Sequence, residues 1–104
     1  MRETPRDRRR IKSTVIIVNP KHFAVGLYFK TGETPLPKIT VKGVDKNAQK
    51  IINIAQMEGI PVVEDAKLAR SLHMNGQDDD FVPPDLLPSV AAVLRWVYQF
   101  QDKE

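Results

Sequence analysis

Three residue types that together can break a peptide bond stand in one tetrapeptide, Asn19-Pro20-Lys21-His22, directly after the run Ser13-Thr14-Val15-Ile16-Ile17-Val18. Asparagine can close a five-membered ring by attacking its own backbone carbonyl with its side-chain nitrogen. In most sequences the next backbone N–H attacks the side chain first, and the result is deamidation. Proline carries no such hydrogen, so that route is closed at Asn19-Pro20. The remaining cyclisation cuts the chain, leaving a succinimide at Asn19 and a secondary amine on Pro20. His22, two residues beyond the bond, can move the protons this requires. The plain alternative is a strand-ending turn, since Asn-Pro is a common turn pair. From spacing alone that alternative is the stronger.

The elements that must hold this tetrapeptide follow from pattern. Residues 13 to 18 are β-branched and mostly apolar, which predicts a buried strand. Phe23 to Lys30 is a second apolar run with aromatics, expected as a central strand. Thr31 to Pro37 has one glycine and two prolines and reads as an extended loop. Lys38-Ile39-Thr40-Val41-Lys42 alternates, as a strand with one solvated face at an edge does. Asp45 is placed to cap a helix over residues 46 to 58, with Ala48, Ile51, Ile52 and Ala55 as its apolar stripe and Gly59 as its stop. Pro61-Val62-Val63 starts a short strand, and the order favours a β-helix-β crossover.

Ala66 to Met74 is expected as a short helix with Leu68, Ala69 and Leu72 inward, and Asn75 to Asp80 as a polar loop. Pro83 and Pro84 open a last helical region with the stripe Leu86, Leu87, Val90, Val93, Leu94 and Val97. Pro88 lies far enough in to predict a kink or a restart at Ser89. Thr4-Pro5-Arg6-Asp7 carries a helix-start pattern. The expected fold is a small single α/β domain, a four-stranded mixed sheet flanked by helices, over residues 13–104. A basic linker arm with a linker helix precedes it over residues 1–12.

Composition narrows the function classes. At 104 residues the chain is long enough for one modest core. A hydrophobic share of 41% with 28% charged residues fits a soluble globular domain. There is no cysteine, which excludes disulfide and thiolate chemistry and agrees with a reducing compartment. No apolar run approaches the roughly 20 residues of a membrane span, and no signal peptide is visible. Arg2, Arg6, Arg8, Arg9, Arg10 and Lys12 outweigh Glu3 and Asp7, so the chain's net charge of +3 belongs to the arm and the body is near neutral. Such an arm suits anionic lipid, nucleic acid or an acidic partner, or is simply a solvated linker. The near-neutral body and the lack of a nucleic-acid motif argue against a nucleic-acid-binding domain.

Other residue groups have bland explanations. His22 and His73 are distant in sequence and lack cysteine neighbours, so no zinc site is expected. His73 reads as an exposed helix residue. Asp78-Asp79-Asp80 reads as a solvated loop rather than a cation site, and Glu64-Asp65 as a charged strand end or helix start. Trp96 and Tyr98 fall on or near an apolar helix face, as core or docking residues. Gly26 within a strand marks a bulge or close packing. No phosphate-binding glycine loop or Ser/His/Asp pattern is present, and no cofactor or metal is expected.

Val18-Asn19-Pro20-Lys21-His22-Phe23-Ala24-Val25-Gly26-Leu27-Tyr28-Phe29 resembles the Asn-Pro-Thr-His segment of the FlhB/YscU family, the export-switch proteins of flagellar and injectisome type III secretion. The likeness continues through Gly32-Glu33-Thr34-Pro35-Leu36-Pro37, Val41-Lys42-Gly43, Gly59-Ile60-Pro61-Val62, Leu68-Ala69-Arg70-Ser71-Leu72 and Val93-Leu94-Arg95-Trp96-Val97, so it covers about residues 13 to 100. The Gly32 to Pro37 segment looks more injectisome-like, while Val41-Lys42-Gly43 and Trp96-Val97 also resemble flagellar members. Lys21 stands where the family usually has threonine, and lysine cannot accept a hydrogen bond within the turn.

The resemblance implies a single-turnover self-cleavage between Asn19 and Pro20, with Asn19, Pro20 and His22 as its residues. Lys21 would permit the cut and slow it. The two pieces would stay associated, and the cut would accompany a switch of export substrate class. The implied partners are type III export apparatus proteins, secreted substrates and a length-control protein, at the cytoplasmic side of the bacterial inner membrane. A transmembrane helical domain would precede this segment, Met1 would then open a piece of a longer protein, and the arm would be a juxtamembrane linker. The alternative within the same fold is a non-cleaving docking module that binds export substrates or apparatus proteins through its surface and the Thr31 to Pro37 loop.

Overall fold

The computed structural model describes residues 12–20 and 22–102. The helix start at Thr4-Pro5, most of the basic arm and Lys21 lie outside the described residues. Among the described residues, four strands and three α-helices follow in the order β1 (Val15–Asn19), β2 (Phe23–Tyr28), β3 (Lys38–Val44), α1 (Lys46–Glu58), β4 (Val62–Glu64), α2 (Ala66–Asn75) and α3 (Leu87–Asp102), with a 3-10 turn at Pro84–Leu86 before α3. The sheet order is β3-β2-β1-β4. β1 runs antiparallel to β2 and parallel to β4, and β2 runs antiparallel to β3. The sheet is therefore mixed. β3 is an edge strand, as its alternation predicts, and the β3-α1-β4 crossover passes over both central strands.

β1 is apolar at every position from Val15 to Val18 because both faces of the sheet are covered. Val15 and Ile17 point to the side where α2 and α3 pack, in one cluster with Leu27, Ile39, Leu72, Val90 and Val97. Ile16 and Val18 point to the other side, against Ala48, Ile51 and Ala55 of α1. The period of two along the strand thus divides one continuous apolar run between two cores.

Helix ends follow local chemistry, with one exception. Gly59 closes α1 in a left-handed conformation (φ 72°) that a side chain would strain. Asp65 caps α2, its Oδ1 accepting from the Leu68 amide at 3.1 Å. Asp45 precedes α1 as predicted, but its side chain makes no cap hydrogen bond, and its backbone sits at φ 50°, ψ −114°. Pro88 neither kinks nor restarts the last helix. α3 begins at Leu87, so Pro88 falls in the first turn, where a missing N–H costs nothing.

The edges are managed by irregular chain. Ile39 and the polar loop exchange backbone bonds, Ile39 N–H to Asp80 O at 2.8 Å and Asp79 N–H to Ile39 O at 2.7 Å, and Lys38 bridges to Phe81. This covers part of the exposed side of β3. Gly26 is both a bulge and a close approach. The β2–β3 register shifts between Gly26 and Leu27, and a Cβ at Gly26 would lie 2.6 Å from Ser13 Oγ.

Candidate functional site

Asn19 is the last residue of β1, half-buried, and pairs with Phe23 at the start of β2. Pro20 and His22 lie between them at the tip of the β1–β2 hairpin. The Val18 carbonyl accepts from the Asp65 amide at 3.0 Å, which ties the peptide ahead of Asn19 to the start of α2. The Asn19 carbonyl accepts from the His22 amide at 2.9 Å, which closes a four-residue turn with Pro20 in its second position. Proline is favoured there because its ring pre-sets φ near −65°. The His22 carbonyl accepts from the Asp45 amide at 3.0 Å, so the far side of the tip is tied to the residue before α1. Both ends of the tip are thus anchored, while Pro20 and His22 themselves are exposed.

This arrangement supplies a feature that sequence alone does not name. The Asn19 carbonyl, which Asn19 Nδ2 would attack in the cyclisation expected from sequence, has a backbone donor aimed at its oxygen, where negative charge would grow as the ring closed. The donor belongs to His22, so one residue contributes both the polarising amide and the imidazole. The His22 ring is open to solvent, and its Nδ1 lies 3.8 Å from Asp45 Oδ1, an ion-pair distance rather than a hydrogen bond. Sequence reasoning assigned Asp45 to helix capping, a reading that holds for its position and not for its side chain. Its positive φ has no sequence signal, since Asp before a helix is the ordinary cap pattern.

His73 is not the exposed residue expected from sequence. It is half-buried at the end of α2, its ring 4.8 Å from that of Phe23 and inclined at 35°. Phe23 also lies 6.2 Å from the ring of His22. The two histidines, distant in sequence, therefore flank one phenylalanine. Burial pushes the His73 pKa below its ordinary value, and the nearby Lys42 ammonium pushes in the same direction. Lys42 Nζ donates to the His73 and Gly76 carbonyls at 3.0 and 2.8 Å, closing the C-terminal end of α2. Among the described residues no cluster of three His, Cys, Asp or Glu side chains forms a metal site.

A second feature lies away from the hairpin tip. The Thr31 to Pro37 loop and α3 enclose an apolar groove of about 380 Å³, lined by Phe29, Leu36, Pro37, Ala91, Leu94 and Tyr98 among others. The Tyr98 hydroxyl donates to the Phe29 carbonyl and fixes one wall. Trp96 takes no part in it. That ring is half-exposed and stacks on Phe100 at 5.2 Å. On the opposite side of the loop, Tyr28 donates to Glu33 at 2.9 Å, and this bond raises the Tyr28 pKa above its ordinary value.

The family model described as "FlhB HrpN YscU SpaS Family" matches residues 6–97. This chain belongs to that family. Over 86 residues it is 40% identical to the Yop proteins translocation protein U of Yersinia pestis, covering 83% of this chain and 24% of that protein. The chain thus spans about a quarter of the length of that relative. A solved structure of a mutated EscU C-terminal domain superposes with a TM-score of 0.81 at 43% identity, covering 85% of this chain and 88% of that one. The cytoplasmic domain of FlhB from Shewanella putrefaciens superposes with a TM-score of 0.85 at 31% identity, covering 94% of this chain and 77% of that one. The mutated EscU domains carry substitutions at an asparagine, at the proline after it and at a histidine three residues after the asparagine. The chain has the fold of the C-terminal cytoplasmic domains of these type III export proteins.

Proposed function

We propose that this domain is the self-cleaving cytoplasmic switch of a type III secretion export apparatus. The observation that carries the proposal is the anchored turn in which the Asn19 carbonyl receives the His22 amide at 2.9 Å. Asn19 Nδ2 attacks the Asn19 carbonyl carbon, forming a carbon–nitrogen bond and placing negative charge on the oxygen that His22 N–H contacts. The nitrogen gives up a proton as the ring closes. The Asn19–Pro20 bond breaks with its electron pair going to the Pro20 nitrogen, which takes up a proton. The products are a C-terminal succinimide and a secondary amine, with no water consumed. Later addition of one water opens the ring to asparagine or isoasparagine. Proximity in the turn supplies the rate, and the His22 ring serves as the carrier of the proton.

The mutated EscU domains support the reading, because their three substituted residue types have the spacing of Asn19, Pro20 and His22. In this reading the cut frees the hairpin tip and changes which substrates the apparatus accepts. The partners are export apparatus proteins, secreted substrates and a length-control protein. The domain is tethered to the cytoplasmic side of the bacterial inner membrane by a preceding transmembrane domain. Intact mass spectrometry under denaturing conditions tests the chemistry. The expected result is two species whose masses sum to the parent without an added water, broken between Asn19 and Pro20 and absent from Asn19→Ala. Hydrolysis would instead add one water at once. A parent mass that persists for days at neutral pH, or an equal cut in Asn19→Ala, overturns the proposal. Lys21→Thr is expected to cut faster than the parent.

The groove between the Thr31 to Pro37 loop and α3 favours a second reading, a docking module for an apolar segment of an export substrate or apparatus protein. The two readings are compatible, and Leu36→Asp, at an exposed residue of the groove, separates them. It should abolish such docking while leaving the Asn19–Pro20 cut at the parental rate.

A further inference from the structure

We infer that Asp45 is a positioning residue for the cleavage, acting through His22. This rests on the self-cleavage reading and adds to it a residue from outside the tetrapeptide. Three observations converge on Asp45. Its carboxylate oxygen lies 3.8 Å from His22 Nδ1. Its amide donates to the His22 carbonyl at 3.0 Å, so the contact is held at the backbone as well. Its side chain leaves the amides of α1 uncapped, although Asp45 occupies the cap position.

The backbone of Asp45 adds weight. At φ 50° and ψ −114° it occupies a region that glycine enters freely and a side chain does not. Strain of this kind persists where the surrounding structure demands it, and it collects at functional sites. A helix cap alone does not require it, because Asp65 caps α2 from φ −151°. The conformation at Asp45 turns the carboxylate from the helix start toward His22.

The chemistry gives the contact a use. When the His22 ring takes the proton released from Asn19 Nδ2, it becomes a cation. A carboxylate on its Nδ1 side offsets that charge and limits how the ring rotates, while leaving the other nitrogen to exchange protons with the reacting groups. The same logic applies when the proton passes on to the Pro20 nitrogen. Both side chains are well exposed, at 62% for His22 and 74% for Asp45, so the effect is bounded by solvent screening.

The test is a double-mutant cycle on the whole chain, following cleavage by mass spectrometry after rapid cell-free synthesis. Asp45→Asn is expected to slow the cut about threefold in the parent, at the scale of an exposed ion pair, and to have no effect in His22→Gln. The slowing should fade at high salt. Asp45→Gly is the second variant. It relieves the positive φ, so it should raise the urea midpoint while slowing the cut as Asp45→Asn does, a combination that a purely structural role does not produce. Equal slowing in both His22 backgrounds, or parental rates in both Asp45 variants, overturns the inference while the cleavage reading stands. A parent that stays whole, or an Asn19→Ala that is cut, overturns both.

Discussion

The His22 amide donates to the Asn19 carbonyl oxygen at 2.9 Å, across the bond that self-cleavage would break. A turn hydrogen bond of this kind is ordinary in a hairpin. Its consequence here depends on the residue that owns the carbonyl. On most residues the bond would only close a turn, whereas in the proposed cyclisation it would polarise the carbon that the side chain of the same residue attacks.

Pro20→Ala should therefore change the product as well as the rate. Alanine restores a backbone N–H at position 20 and frees its φ. The N–H can attack the Asn19 side chain, and the turn no longer holds the reacting atoms as closely. The expected outcome is cleavage slowed by about 10²-fold, the scale of a misplacement near 1 Å, with Asn19 converted slowly to aspartate and isoaspartate. Peptide mass spectrometry of aged protein checks both. Rapid cleavage with no deamidation would show that proline is dispensable.

The parts of the fold that sequence made legible are those whose signal is local. The Val15 to Val18 run is apolar throughout because β1 is buried on both faces, and the stripes of α1 and α3 match the cores they join. The turn at Asn19-Pro20 was legible because Asn-Pro is a local turn signal that ends the strand. Asp45 and His73 were not. The partner of Asp45 is His22, in the β1–β2 turn far back along the chain, and a helix-cap pattern masks it. The partner of His73 is Phe23, and the order β3-β2-β1-β4 that brings them together rests on a crossover whose span is invisible in periodicity.

Cleavage should leave one particle. The piece ending at Asn19 contains β1, which pairs with β2 on one side and β4 on the other. Val15, Ile16 and Ile17 are fully buried and Val18 nearly so. Each such side chain contributes roughly 1.5–3 kcal/mol of burial, which outweighs the loss of one covalent link in a turn. The cut protein should elute from size exclusion at the position of the parent, and strong denaturant should separate the pieces. Dissociation in plain buffer would contradict this, and would make release rather than loop opening the consequence of the cut.

Lys42→Met should loosen the end of α2. The methionine keeps most of the apolar stem but removes the ammonium that donates to the His73 and Gly76 carbonyls. Two charge-assisted bonds at a half-buried helix end are worth about 2 kcal/mol together. The urea midpoint should fall accordingly, with the hydrogen-exchange loss concentrated in α2 residues near His73. An unchanged midpoint would mean that water replaces the ammonium without cost.

His73 gives the fold a pH dependence of determined sign. Burial and Lys42 place its pKa in the folded chain below the ordinary value of 6.5. The unfolded chain therefore binds the proton more readily, and stability falls with falling pH wherever the unfolded state carries more protons. The contribution of His73 is fully present above pH 6.5 and is lost as the pH drops through that value toward the folded pKa. Carboxylates also titrate in acid, so the comparison must be with His73→Gln, which keeps the size and removes the titration. Urea midpoints measured from pH 7.5 down to 5.5 should fall more steeply for the parent than for the variant. Because the His73 ring packs on Phe23, next to His22, protonation should also broaden or shift the Phe23 ring resonances over the same range. Parallel midpoint curves with a fixed Phe23 signal would place the His73 ring in solvent.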